Sequence, residues 1–269
     1  MNHIHPTALV DAGAQLGDGV TVGPFVVIGP DTQIGAGCVI HPHVVIHPYT
    51  SLGEGCRVHA GAVLGDQPQD LAFQPDSVSH TRIGAHCWIR EGVTIHRGTK
   101  PDTATEIGDE CFLMANSHVA HNVRLGRRVI LVNGALLAGY VEVGDYAFIS
   151  GNAVVHQFVR IGRLAMMGGQ GAVSQDIPPF CTGRSGAGNE ILGLNIVGLR
   201  RAGFKPETRQ ALKAAFKTLY RSGLTISRAV DKIRAECTDP AVAEFADFIA
   251  ASKRGVCGLA ASAGDSDAD

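Results

Sequence analysis

The chain has 269 residues, enough for one large domain and a small one, and its 34 glycines with only 6% aromatic and 18% charged residues exclude a coiled coil or a disordered chain. A net charge of −2 gives no overall pull toward nucleic acid or a membrane surface, and no apolar run approaches the ~18 residues of a membrane span. The opening "MNHIHPTALV" lacks the pattern of a secretion signal, and the seven cysteines show no CxxC spacing, so a reduced, cytoplasmic protein is expected.

From Ile4 an aliphatic residue returns at every sixth position through Val10, Leu16 and Val22 to Leu64. The series resumes at Ile83, Ile89 and Ile95, then runs from Ile107 to Val173 with Met167 as its one departure from Ile, Val or Leu. Two residues before each of these stands a small or β-branched residue, such as Ala8, Val20, Thr32 or Cys38. Two positions per hexad therefore point inward, and Cys38, Cys56, Cys87 and Cys111 read as buried filler of the smaller one. Gly108, Gly126, Gly144 and Gly162 recur at eighteen-residue steps, so three hexads make one coil. The pattern predicts an all-β parallel solenoid of triangular section with coils about 4.8 Å apart.

The repeat breaks at 66–82, "DQPQDLAFQPDSVSHTR", and at 98–106, "GTKPDTATE". Both read as excursions from the coil, the kind of loop that carries function on a rigid scaffold. Residues 1–189 are expected to form the solenoid and 190–255 a small C-terminal α-helical domain. There, "PETRQALKAAFKTLYRSG" has helical apolar spacing, and "DPAVAEFADFIAASKRG" predicts a helix capped by Asp239 and closed at Gly255. The tail, 256–269, has the composition of a disordered segment.

Four local motifs lie on this frame: "IHRGT" at 95–99, "HVAHN" at 118–122, "VHQF" at 155–158 and "GLNIVGLRRAGF" at 193–204. Together with the hexads they resemble the UDP-N-acetylglucosamine acyltransferases that begin lipid A synthesis, over nearly the whole chain. The resemblance implies a left-handed parallel β-helix of hexapeptide repeats, an exception to right-handed crossovers, and a homotrimer with active sites between subunits. It implies transfer of a 3-hydroxyacyl chain from acyl carrier protein to the 3-hydroxyl of UDP-N-acetylglucosamine, with no cofactor and no metal.

"SHVAHNVRLG" places His118 and His121 three apart among small and aliphatic residues. His121 is the third residue of its hexad, outside both inward places, so it is not core filling. A sugar hydroxyl is a poor nucleophile at neutral pH, and a histidine base is worth typically 10²–10⁴-fold. By resemblance His121 is that base. The eighteen-residue period aligns Gly139 and Gln157 with it, one and two coils on. Gly139 resembles a glycine whose backbone N–H faces the thioester oxyanion. His118, His156, Gln157, Gln69 and Asp70 resemble acceptor contacts, and Asn195 and Arg201 nucleotide contacts. Gly169 resembles the residue that measures the acyl chain; an open groove there favours burial of further methylenes at ~0.8 kcal/mol each, and a chain of about fourteen carbons is expected.

The sequence departs from common family forms at Asn122, Ala72, Tyr140, Val197 and Ala202, where Asp, Lys, His, an acidic residue and Arg are frequent. Asn122 offers an amide oxygen to orient the ring but no charge to steady an imidazolium. Arg200, Arg201 and Lys205 form a basic cluster suited to an acidic carrier protein. His41, His47, His59 and His96 fall at hexad corners and read as structural. Three alternatives stay open: a trimeric zinc hydratase resembling the gamma carbonic anhydrases, a non-catalytic solenoid, and a relative that acylates the 3-amino analogue of the sugar nucleotide.

Overall fold

The computed structural model describes residues 1–186 and 188–260. The chain winds as a left-handed parallel β-helix with three flat faces. On the first face His3–Ile4 pairs with Thr21–Val22 of the next coil. On the second, Leu9–Val10 pairs with Val27–Ile28, and on the third, Gln15–Leu16 pairs with Gln33–Ile34. The second residue of each strand is the aliphatic one. From Val22 through Val173 these residues fill the core with at most 6% exposure, whereas Ile4, at the open end, is 45% exposed.

The smaller inward place explains the cysteines. Cys38, Cys56, Cys87 and Cys111 stack beneath one edge, and each thiol donates to the carbonyl of a corner glycine in the next coil (Gly53, Gly84, Gly108 and Gly126) at 3.1–3.2 Å. Those glycines have no alternative: a Cβ at Gly53 would stand 2.5 Å from the Ala85 nitrogen in the adjacent coil.

The outward residues differ by face. The third face carries a charged ladder, with Arg82 to Glu106 at 3.4 Å, Arg124 to Glu106 at 3.5 Å and Arg160 to Glu142 at 3.7 Å. The first and second faces expose apolar groups instead, among them Trp88 (45%), Leu136 (41%) and Val154 (43%).

Both excursions are shorter than the sequence indicated. Val63–Asp66 and His80–Ile83 are strands, as is Ala104–Ile107, because Thr81 and Thr105 keep the small inward place and stay paired in the sheet. The loops reduce to 67–79 and 97–103 and bond to each other, His80 N–H to Thr103 O at 2.9 Å and Ser79 Oγ to Gly98 O at 2.6 Å. Each leaves the second face and returns on the third.

The solenoid passes into the helices through an antiparallel hairpin, Cys181–Gly183 with Glu190–Leu194, so no clean break falls at residue 189. Four helices follow: α1 (Ile196–Arg201), α2 (Pro206–Arg221), α3 (Ile226–Glu236) and α4 (Pro240–Ala250). Asp239 caps α4 by accepting from Ala241 N–H at 2.8 Å. The helix stops at Ala250, short of Gly255, because the next residues return to the solenoid: Ser252 Oγ donates to Asp176 at 2.8 Å and Arg254 Nε to Ser174 O at 2.7 Å. The tail expectation is corrected as well. Gly258–Leu259 adds a strand beside Glu190–Leu194, and Cys257 is fully buried. The rest of that expected tail, 261–269, lies outside the described residues.

Candidate active site

The edge between the second and third faces carries the polar chemistry. His121 turns that corner after strand His118–Val119. Tyr140 N–H donates to His121 O at 3.0 Å and Phe158 N–H to Gly139 O at 3.1 Å, which stacks the three corners in successive coils. Asn122, Tyr140 and Phe158 take the left-handed backbone of this turn, with φ of 58°, 59° and 66°. Asparagine tolerates it; the two aromatics are held there by stacking on each other with ring centroids 5.1 Å apart. Both excursions leave from this same edge in the coils just before His121.

Asn122 is buried and its backbone N–H is fixed by Thr105 Oγ1 at 2.7 Å. Its Oδ1 faces three groups: Thr99 N–H at 3.0 Å, Thr99 Oγ1 at 2.9 Å and His121 Nδ1 at 3.1 Å. Thr99 N–H is a donor and nothing else, so the amide atom facing it is the oxygen. That oxygen requires a proton on His121 Nδ1, which in the neutral imidazole leaves the lone pair on Nε2. Nε2 lies over Gly139, where a Cβ would stand 2.5 Å from it. Among the described residues no acceptor takes the Gly139 N–H. An unpartnered ring nitrogen on half-buried His121 thus lies against buried Gly139, whose backbone donor is also unpartnered.

His118 lies on the strand rather than at the corner, with Nδ1 2.7 Å from Thr94 Oγ1 and its ring edge-on to His96 at 4.8 Å. Burial pushes the His118 imidazole down to about 4, with His96 and His121 adding smaller effects in the same direction. Burial lowers His96 too, against the pull of Asp66. His96 is 6% exposed and its Nδ1 has no partner among the described residues, so it is not the plain corner residue expected.

Gln69 and Asp70 ride exposed on the first excursion, where Asp70 accepts from Ala72 N–H at 2.9 Å. Arg97, 6% exposed, fastens that loop: its guanidinium lies over Tyr49 and Phe73 and donates to Pro75 O at 3.3 Å. His156 and Gln157 continue the His121 edge two coils on, His156 exposed with Nδ1 3.1 Å from Gln157 O.

Three expected residues lie elsewhere on the chain. Asn195 caps α1 through Gly198 N–H at 2.9 Å and donates to Leu164 O at 2.9 Å, at the edge between the third and first faces. Arg201 is exposed in the last turn of α1. Gly169 turns the edge between the first and second faces, just under three coils beyond His121 and so about 13 Å along the axis. Sequence reasoning did not single out Thr99 and Arg97, nor the 2.9 Å contact of Tyr140 OH with Thr99 Oγ1. Their one signal was "IHRGT", which places Arg97 and Thr99 at the mouth of the second excursion.

This coil of hexads is that of a hexapeptide-repeat transferase, and the bacterial transferase hexapeptide family (six repeats) matches residues 31–66 and 104–139. The UDP-N-acetylglucosamine O-acyltransferase domain 2 family matches residues 176–257. Acyl-[acyl-carrier-protein]–UDP-N-acetylglucosamine O-acyltransferases are similar along nearly the full length. That of Thermodesulfovibrio yellowstonii is 42% identical over 96% of this chain and 100% of its own; that of Paraburkholderia phymatum is 43% identical over 95% and 99%. Among solved structures, the UDP-N-acetylglucosamine acyltransferase of Bacteroides fragilis superposes with a TM-score of 0.88 at 36% identity, covering 94% of this chain and 99% of that one. The Francisella novicida enzyme gives 0.88 at 34%, covering 97% and 95%. The chain belongs to the acyl-[acyl-carrier-protein]–UDP-N-acetylglucosamine O-acyltransferase family and is an enzyme. That membership overturns the zinc-hydratase and non-catalytic alternatives.

Proposed function

We propose that the enzyme moves a 3-hydroxyacyl chain from acyl carrier protein to the 3-hydroxyl of UDP-N-acetylglucosamine, with His121 as general base. The observation that carries this reading is the 3.1 Å contact of His121 Nδ1 with Asn122 Oδ1, with Nε2 left without a partner beside the Gly139 Cα. Nε2 takes the proton of the sugar hydroxyl as its oxygen attacks the thioester carbonyl carbon. The oxyanion that forms is held by Gly139 N–H, a contribution of ~3 kcal/mol for such a donor. Collapse breaks the C–S bond, and the imidazolium returns the proton to the leaving thiolate.

His118, His156, Gln157, Gln69 and Asp70 hold the acceptor sugar in this reading. Asn195 and Arg201 hold the nucleotide, with Arg201 the stronger candidate because both ends of the Asn195 amide are engaged within the chain. Arg200, Arg201 and Lys205 attract the acidic carrier.

The working unit is a homotrimer. His121 and Gly169 occupy different edges of one chain, so a groove running from base to ruler takes one edge from each of two copies. The apolar outer rows of the first and second faces, set against the charged third face, fit burial between subunits. Seven free thiols fit a reducing cytoplasm.

Purified enzyme offered both UDP-N-acetylglucosamine and its 3-amino analogue, with carrier loaded at several chain lengths, tests the reading. Ester formation at the 3-hydroxyl is expected. Exclusive amide formation overturns the acceptor assignment, and an active monomer by light scattering overturns the trimer.

A further inference from the structure

We propose that Tyr140 and Thr99 are positioning residues that hold the Asn122 amide in the one orientation that makes His121 a base. The proposal rests on the general-base reading and adds the device that fixes the tautomer.

An asparagine side chain has one accepting end and one donating end of nearly the same shape. Turned over, Asn122 would present its NH₂ to His121 Nδ1. The imidazole would then carry its proton on Nε2, toward the substrate, and have no lone pair there. An aspartate at the same place would accept at either oxygen and need no such control.

The chain supplies the control from its second excursion. Thr99 N–H at 3.0 Å and Thr99 Oγ1 at 2.9 Å both address Asn122 Oδ1. The backbone donor is fixed, but a threonine hydroxyl donates or accepts according to its surroundings. Tyr140 OH lies 2.9 Å from that hydroxyl. With the phenol donating to Thr99 Oγ1, the threonine proton is directed at Asn122 Oδ1, and the order Tyr140 to Thr99 to Asn122 leaves Oδ1 as the acceptor for His121 Nδ1–H. A turned amide would then face two donors with a third.

Tyr140 is itself held. Its ring stacks on Phe158 at 5.1 Å and meets His121 edge-on at 5.3 Å with an interplanar angle of 81°. It therefore bears on the base twice, once through ring contact and once through the hydroxyl chain. Phenylalanine would keep the first and remove the second.

The test is a double-mutant cycle with a spectroscopic readout. Tyr140→Phe, Thr99→Val and Asn122→Asp are made singly, and Tyr140→Phe is repeated in the Asn122→Asp background. In histidine-¹⁵N-labelled trimer the His121 ring signals, identified by their loss in His121→Gln, report which nitrogen carries the proton. Tyr140→Phe is expected to shift those signals toward a tautomer mixture and to lower kcat about three- to tenfold with KM little changed, the scale of one lost hydrogen bond. Thr99→Val moves both in the same direction. In the Asn122→Asp background the Tyr140→Phe penalty falls below about twofold, because the carboxylate accepts in either orientation. An equal penalty in both backgrounds, or an unchanged tautomer in Tyr140→Phe, overturns the proposal. Failure of the general-base reading looks different: His121→Ala retains turnover while the tautomer still responds to Tyr140.

Discussion

The His121 ring rests on Gly139: in the adjacent coil a single added methyl would stand 2.5 Å from Nε2. Glycine is needed here for the space its side chain leaves, since Gly139 is not among the positive-φ positions of the coil. Gly139→Ala must therefore displace the imidazole from its contact with Asn122. Its coil-to-coil bonds use backbone atoms and survive, so the variant is expected to fold with an unchanged circular dichroism spectrum. Turnover should fall by at least tenfold, a single lost hydrogen bond being the smallest consequence of moving the base. Wild-type kcat in the variant would show that the ring is not needed where it lies.

His121→Ala removes the proposed base. Its side chain is half-buried and contributes little to the core, so the fold is retained while turnover drops by about two orders of magnitude or more. Steady-state rates on the folded variant check this. Turnover near wild type removes the base assignment.

The paired histidines give a pH dependence of stability whose sign is fixed. His118 has a native-state value of about 4 against 6.5 when free, with burial as the main cause. His96 is lowered as well, by burial and by His121 and His47, with Asp66 opposing. Between pH 6.5 and 4 the unfolded chain binds more protons than the native one, so stability rises with pH across that window and is complete above it. Urea midpoints should therefore fall as pH drops from 7 to 4. His118→Gln, which keeps a polar partner for Thr94 but does not titrate, should show a shallower slope. An equal slope in both proteins would place the effect elsewhere.

The coil was legible because its signal is periodic and long. An inward aliphatic residue every sixth position has no other economical explanation, and the glycine ladder gave the number of hexads per turn. The ends of the excursions were less legible, since Asp66, His80 and Ala104 pair in the sheets although they break the hexad pattern. Helix α3 was missed because its buried face is Ala229, Val230 and Ile233, a narrow stripe in an otherwise polar segment. The outward place of His121 was visible. The hydrogen bonds around it were not, because Thr99 and Tyr140 are 41 residues apart and meet only when the second excursion folds against the edge. At Asn195 the motif pointed to a ligand, and the fold adds what the motif did not show: both ends of its amide are engaged in a cap and a carbonyl.

Gly168 and Gly169 adjoin in the sequence but answer to different constraints. A Cβ at Gly168 would stand 2.5 Å from Ser185 N, so the backbone of the next turn requires glycine there. A Cβ at Gly169 would meet Gly151 O at 3.4 Å and Ser150 Cβ at 3.8 Å, ordinary contact distances, and its φ is not positive. The tight corner thus does not demand glycine at 169. Gly169→Met is accommodated by the coil and projects several methylene volumes from the edge. If that edge closes the far end of the acyl groove in the trimer, each methylene excluded loses ~0.8 kcal/mol of burial. Preference among carrier-bound substrates is then expected to move from about fourteen carbons to a chain shorter by a few, with turnover on the shorter chain near that of wild type because His121 is untouched. Competition between acyl carriers of different length, read by mass spectrometry of the products, decides it. An unchanged product distribution would place the limit on chain length at another part of the groove.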